Sequence, residues 1–347
     1  MTNCKMKLTI VGAICALVWC GPSARAQGKP APTTIDVHLV ITDAALREDS
    51  EFPPLQKEDI KIKQGKNIID PTELIPAKGD RAALQLMILI DDTLDSGVGN
   101  NLTDLKDFVK ALPEGTQVGV GYMANTAISI SQNFTTDRDL VVKAIRLPLG
   151  RLSTGDSPYL SLISLVKGWP QQKVRREVVM VADGIDRLRG EQPQAARTAQ
   201  PQAGRAGRSD TFGTVYHSMP TISVDAQRAS EVSQRNNVIV FPIFAPGVGR
   251  AGRSSWDMQL GLSGLTKIAD ETGGECFSLG TSQLVSFKPY LDRLQKYLDN
   301  QYYLVFQASP GKKDALQRVN IQTAAKNSEI LAADNVWVPG PPKAEKK

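Results

Sequence analysis

From Leu84 onward, short runs that are apolar at nearly every position alternate with segments of helical period. "LQLMILID" lacks the in-and-out alternation of a strand with one wet face and reads as a continuous apolar strand buried on both faces, and "VRREVVMVADG" and "NNVIVFPIFAP" supply further strands. "LTDLKDFVKALP", "DRDLVVKAIRLP", "SPYLSLISLVKGWP", "SVDAQRASEVSQRN", "WDMQLGLSGLTKIADETG" and "QLVSFKPYLDRLQKYLD" carry helical spacing, the third with Ser157 as N-cap and Pro158 at the first helical position. Such a chain has one economical solution: a doubly wound α/β fold with a mostly parallel sheet and helices on both faces. "TQVGVGYMA" and "TAISISQNF", separated only by Asn125, are expected to form an antiparallel hairpin, and "GECFSLG" a further strand.

The flanks read differently. "TIDVHLVITD" and "DIKIKQGKNII" alternate with period two and place a small β-rich module over residues 33–78, after a polar linker at 27–32. The α/β domain is expected over 81–298. "QYYLVFQAS", "LQRVNIQTA" and "SEILAADNVWV" predict a C-terminal β extension over 299–338, with residues 339–347 as a tail. Residues 186–220, rich in Gln, Ala, Arg and Gly without apolar period, read as a disordered surface insertion.

Residues 1–26 have the form of a secretory signal: Lys5 and Lys7, an apolar run from Leu8 to Cys20, and Ala24-Arg25-Ala26 before Gln27. That run is short for a membrane-spanning helix, so no transmembrane segment is expected after cleavage, and the protein is expected to be exported, periplasmic or extracellular. Cleavage removes three positive charges (Lys5, Lys7, Arg25) and lowers the formal net charge from +5 to +2, which argues against a nucleic-acid partner. Cys4, Cys15 and Cys20 leave with the signal, and Cys276 alone cannot form an internal disulfide or a thiolate zinc site. His38 and His217 lack metal-ligand spacing and give a histidine-based enzyme little to build with.

Chemistry concentrates at the strand ends, where an open α/β sheet places its ligands. "LMILIDDTLD" runs from a buried strand straight into three aspartates within five positions. Asp91, Thr93 and Asp95 alternate, so their oxygens share a face in extended chain. "STGDSPY" offers Ser157 at a helix start, and "VMVADG" offers Asp183 before Gly184. Crowded carboxylates repel one another and drift toward protonation unless a cation compensates them. A hard divalent ion accepts this inventory of carboxylates and hydroxyls: Mg²⁺ first, with Ca²⁺ or Mn²⁺ as alternatives.

"LMILIDDTLDS", "TGDSPYLSL" and "VVMVADG", in this order, resemble the three loops of a von Willebrand factor type A domain. "TTIDVHLVITD", "KEDIKIKQGKN", "TGGECFSLG" and "QYYLVFQAS" further resemble its signal-bearing bacterial VWFA-related subgroup. The resemblance implies a metal-ion-dependent adhesion site written D-x-S-x-S, T, D. Asp91 then matches the first aspartate, Thr93 the first serine, Asp95 the second serine, Ser157 the threonine and Asp183 the last aspartate. Thr93 and Ser157 keep a hydroxyl, whereas Asp95 adds a carboxylate where the pattern has serine. In such domains the ion's open position takes an acidic side chain of the partner, so the resemblance implies a non-catalytic module binding a protein or cell-surface ligand.

Two other readings compete: a metal-independent envelope scaffold that binds through its insertion, and a metal-assisted hydrolase using the same carboxylates. "GVGRAG" at 247–252 fits a dinucleotide fingerprint in spacing, but Pro246 interrupts the strand junction and Arg253 with two serines delays the helix.

Overall fold

The computed structural model describes residues 34–44, 54–94, 96–150, 155–170, 172, 174–188, 222–246, 255–282, 285–326 and 328–340. Residues 1–33, on which the expected signal and linker fall, Asp95, "GVGRAG" and most of the expected insertion lie outside them.

The described residues begin with four strands, β1 (Ile35–Asp43), β2 (Ile60–Gln64), β3 (Asn67–Ile69) and β4 (Glu73–Pro76). The α/β region follows as β5 (Leu84–Asp91), α1 (Gly99–Ala111), β6 (Gln117–Ala124), β7 (Ala127–Thr135), α2 (Arg138–Ala144), α3 (Pro158–Gly168), β8 (Arg175–Ala182), α4 (Val224–Arg235), β9 (Val238–Phe244), α5 (Ser255–Thr272) and α6 (Lys288–Asp299). Four more strands close it: β10 (Gln301–Ala308), β11 (Ala315–Thr323), β12 (Ile330–Leu331) and β13 (Asn335–Val338).

The central sheet runs in the order β7-β6-β5-β8-β9, parallel except for the antiparallel edge pair β6 and β7. Every residue of β5, β8 and β9 is buried, which accounts for the apolar character of β9, most of β5 and the Val178–Ala182 half of β8. One face packs Leu86, Ile88 and Ile90 against Leu105 and Val109 of α1, Val141 of α2 and Leu294 of α6. The other packs Met87, Leu89 and Met180 against Leu162 of α3, Ala229 of α4 and Leu265 of α5. The doubly wound arrangement follows directly from these two cores. "GECFSLG" differs from the expected strand, because among the described residues it contributes isolated bridges only, Phe277 with Ile243 and two at Leu279. Gly274 lies against the Val240 carbonyl, where an added Cβ would stand 2.1 Å from that oxygen, and Gly280 has φ +56°, so the segment bends in and out instead of running alongside β9.

The strands of 33–78 and 299–338 pair with each other. β1 lies antiparallel to β10 from Ile35 with Ala308 to Thr42 with Gln301, and β2 lies antiparallel to β11. Two four-stranded sheets result, β12-β1-β10-β4 and β13-β11-β2-β3, sharing a core of Val37, Leu39, Ile62, Leu304, Phe306, Val319 and Val338. "SEILAADNVWV" is not one strand: β12 joins the first sheet and β13 the second. A buried polar joint ties this sandwich to the amino end of β8, where Arg175 donates to the Leu298 carbonyl (2.9 Å), Gln301 Oε1 (2.6 Å) and the Ala82 carbonyl (2.8 Å). Functional chemistry is thereby left to the opposite end of the sheet.

Candidate metal site at the carboxyl edge of the sheet

In this strand order, connections depart in opposite directions from β5 and β8, which opens a crevice beyond their carboxyl ends. Asp91 closes β5, and Asp183 follows Ala182, the last residue of β8, so the topology places both carboxylates at that point. The two are 2 % and 1 % exposed. Burial, then the Asp183 charge, pushes the Asp91 carboxyl up to about 7, against the opposing influence of Thr93 and the Arg187 guanidinium.

The hydroxyls arrive by two routes. Past the end of β5 the chain turns, with the Thr93 N–H donating to Asp91 Oδ1 (2.9 Å), and Thr93 is buried. Ser157 is the N-cap of α3 with Pro158 in the first turn, yet its side chain makes no capping bond. Among the described residues, Thr93 Oγ1 and Ser157 Oγ are both buried without a hydrogen-bond partner of ordinary geometry, although the Thr93 hydroxyl faces the Asp91 carboxylate closely enough to favour its charge. A free N-cap hydroxyl departs from the usual role of that position, where the oxygen accepts an N–H of the first turn. Asp91, Thr93, Asp156 and Ser157 line one recess with Met123, Ala124 and Thr126; its volume is about 10 Å³, room for a single water-sized particle.

Neighbouring loops hold this edge in place. Asn125 and Thr126 both have positive φ, 50° and 61°, in the tight turn of the β6–β7 hairpin, and Asp156 Oδ1 accepts the Asn125 N–H at 2.5 Å. The Asp156 carbonyl accepts the N–H groups of Arg187 (2.8 Å) and Leu188 (3.0 Å), which pins the loop after β8 to the loop before α3. Gly184 (φ +68°) admits no side chain, since an added Cβ would stand 2.3 Å from the Gly261 carbonyl oxygen; one on Gly261 would meet the Asp183 carbonyl at 2.2 Å. The Tyr159 hydroxyl donates to the Gly184 carbonyl at 2.5 Å. Asp183 is therefore fixed by close backbone packing of its loop on α5.

Two arginines that sequence reasoning missed complete the site. Arg146 forks onto Asp92, Nη1 to Oδ1 at 2.7 Å and Nη2 to Oδ2 at 3.2 Å, while its guanidinium lies 3.8 Å from the Tyr122 ring centre. Asp92 also accepts the Leu149 N–H, so this aspartate anchors the 146–150 segment. Arg187 Nη2 lies 2.6 Å from Asp183 Oδ2. Burial works against the Arg187 charge, but Asp183, Asp91 and Asp156 outweigh it and hold its pKa above the ordinary arginine value. The only sequence signal was a basic residue four positions beyond Asp183, a spacing without meaning in a loop.

Asp91, Thr93 and Ser157 come together in the recess, and Asp183 stands close enough to Asp91 to raise its pKa. Asp95 lies outside the described residues. Among those described, no group of three or more His, Cys, Asp or Glu is arranged to hold a metal, so any ion here relies on the two hydroxyls as well as the two carboxylates. Cys276 takes no part: burial pushes its thiol up to about 12, so it behaves as an inert apolar residue.

The sheet and site define an α/β protein of the doubly wound class with its crevice between the first and fourth strands of the central sheet. No family model and no curated protein matches the chain. Among solved structures it is similar to an aerotolerance-related membrane protein from Bacteroides fragilis, at 14 % identity over 62 % of this chain and 99 % of that one, TM-score 0.40. It is also similar to the conserved hypothetical protein BatB from Bacteroides thetaiotaomicron, at 12 % identity over 62 % and 97 %, TM-score 0.38. A von Willebrand factor type A protein from Catenulispora acidiphila aligns at 11 % identity over 85 % and 75 %, TM-score 0.37.

Proposed function

We propose that this chain is an exported, non-catalytic recognition protein that holds a divalent cation, Mg²⁺ in first place, with Asp91, Thr93, Ser157 and Asp183, and with Asp95 from the same loop. The observation that carries the reading is the buried Ser157 Oγ, without a hydrogen-bond partner among the described residues, set beside the buried Thr93 Oγ1 on the recess that Asp91 also lines. Leaving such a group unpaired costs roughly 1–3 kcal/mol, a cost relieved when an ion or its water shell takes its lone pairs. When bound, the ion would supply concentrated positive charge with an open position for an acidic side chain of a protein or surface partner.

The chain's own residues favour recognition over turnover. A recess of about 10 Å³ admits one ion or water and no substrate group, and among the described residues no histidine or cysteine lines it. Leu147, Leu149 and Leu188 are 52 %, 54 % and 46 % exposed on the loops after α2 and β8, apolar surface of the kind the centre of a protein interface buries. Among the described residues no helix is long and apolar enough to cross a membrane. Generic phosphoester and peptide substrates, assayed with and without Mg²⁺, test the non-catalytic part: no turnover is expected, and metal-dependent turnover lost in Asp183→Ala would overturn it.

A further inference from the structure

The reading above leaves one group unexplained. Arg187 brings a permanent positive charge into a site proposed to hold a divalent ion, with its side chain only 15 % exposed. The position is built, not incidental: the Arg187 N–H is fixed on the Asp156 carbonyl, and Ile185 N–H on Asp183 Oδ1 at 3.0 Å shapes the turn between them. The same turn is held from the far side, where the Ser223 hydroxyl at the start of α4 donates to Asp186 Oδ2 at 2.6 Å. A guanidinium on Asp183 Oδ2 uses a lone pair that a metal ion would need, and places a like charge beside that ion.

We propose that Arg187 is a tethered counter-cation of the metal-free site, and that a divalent ion binds only as the guanidinium leaves Asp183. This rests on the metal reading above. Two states follow: a closed one in which Arg187 neutralises Asp183, and a loaded one in which the ion takes the carboxylate and Arg187 turns outward beside the exposed Leu188. The difference between them sets metal affinity below that of a site without the arginine. It also keeps the metal-free loops in place, because the buried carboxylates stay compensated.

Calorimetric titration of Mg²⁺ and Mn²⁺ into the metal-stripped protein, its Arg187→Gln variant and an Asp183→Ala control tests this, with thermal melting in chelator and in saturating metal. The variant is expected to bind each ion roughly tenfold or more tightly than the parent, to melt lower than the parent without metal, and to gain more from metal than the parent does. Equal or weaker binding by Arg187→Gln, with the parent still binding, would overturn the proposal and leave the metal reading standing. No binding by either, under conditions where both are folded, would remove the metal reading and this proposal with it. A second measurement needs no destabilised variant: the Arg187 side-chain NMR signal of the parent, assigned through its loss in Arg187→Lys, should move to that of a solvent-exposed guanidinium as Mg²⁺ is added. A signal unchanged at metal saturation would count against displacement.

Discussion

Arg187 Nη2 lies 2.6 Å from Asp183 Oδ2, at the end of a strand whose sheet neighbour terminates in Asp91. That contact and the fork of Arg146 on Asp92 answer half of the puzzle posed by so many aspartates at a strand's end. Two carboxylates are compensated by arginines. The remaining demand comes from Asp91, raised to about 7, and from the Ser157 hydroxyl, which has no partner among the described residues.

Ser157→Ala separates a cap from a ligand. An N-cap serine that bonds its helix costs about 1 kcal/mol on removal. Ser157 makes no such bond and its buried hydroxyl is unpaired, so the substitution is expected to raise metal-free stability, by up to about 1–3 kcal/mol, while lowering Mg²⁺ affinity. Thermal melting in chelator beside a calorimetric titration checks both halves; a melting temperature that falls as for an ordinary cap loss would show the hydroxyl to be structural.

Gly184→Ala and Gly65→Ala share a positive φ but not a neighbourhood. Gly65, at φ +60°, has open space around its missing Cβ, and the substitution should cost about 1 kcal/mol. Gly184, pressed on the Gly261 carbonyl, should cost about 3 kcal/mol or more and displace Asp183. Denaturant unfolding of both proteins, with m-values compared, measures the contrast; equal losses would show that the α5 contact is not tight.

Glu177 should make the protein less stable as pH rises. It is fully buried on β8, and burial, opposed by Arg175 and Gln301, raises its carboxyl from 4.5 to about 7. The folded chain holds this proton more tightly than the unfolded one. The stabilisation is therefore fully present below pH 4.5 and lost as pH climbs through about 7. Glu177→Gln keeps the shape of the neutral form and is expected to melt several degrees above the parent at pH 8, by an effect on the order of 3 kcal/mol, with the gap closing toward pH 4.5. Melting curves across that range, in chelator, give the difference directly; a gap independent of pH would contradict the assignment.

The α/β core was legible because burial on both faces writes itself into sequence as apolar runs without alternation, as in β9, most of β5 and the second half of β8 after Arg175, Arg176 and Glu177. Partnership is written far more weakly. Period-two alternation marks β1 as a strand and β10 reads as extended, but nothing in either names the other, and they pair across more than 250 positions of chain. The split of "SEILAADNVWV" was hidden for a related reason: β12 and β13 both look extended, and only the course between the two sheets divides them. At the site, Asp91, Thr93, Ser157 and Asp183 could be named from their places at strand ends and a helix start. Arg187 could not, because its meeting with Asp183 depends on a loop shaped by the Asp156 carbonyl and by Gly184 packed on α5.

The measurement that tests the central claim most directly is calorimetric titration of the metal-stripped protein with Mg²⁺, Ca²⁺ and Mn²⁺, beside Asp183→Ala. Saturable binding of one ion per chain, lost in the variant, is the expected result. No saturable binding of any of the three, or binding that Asp183→Ala leaves intact, would contradict it.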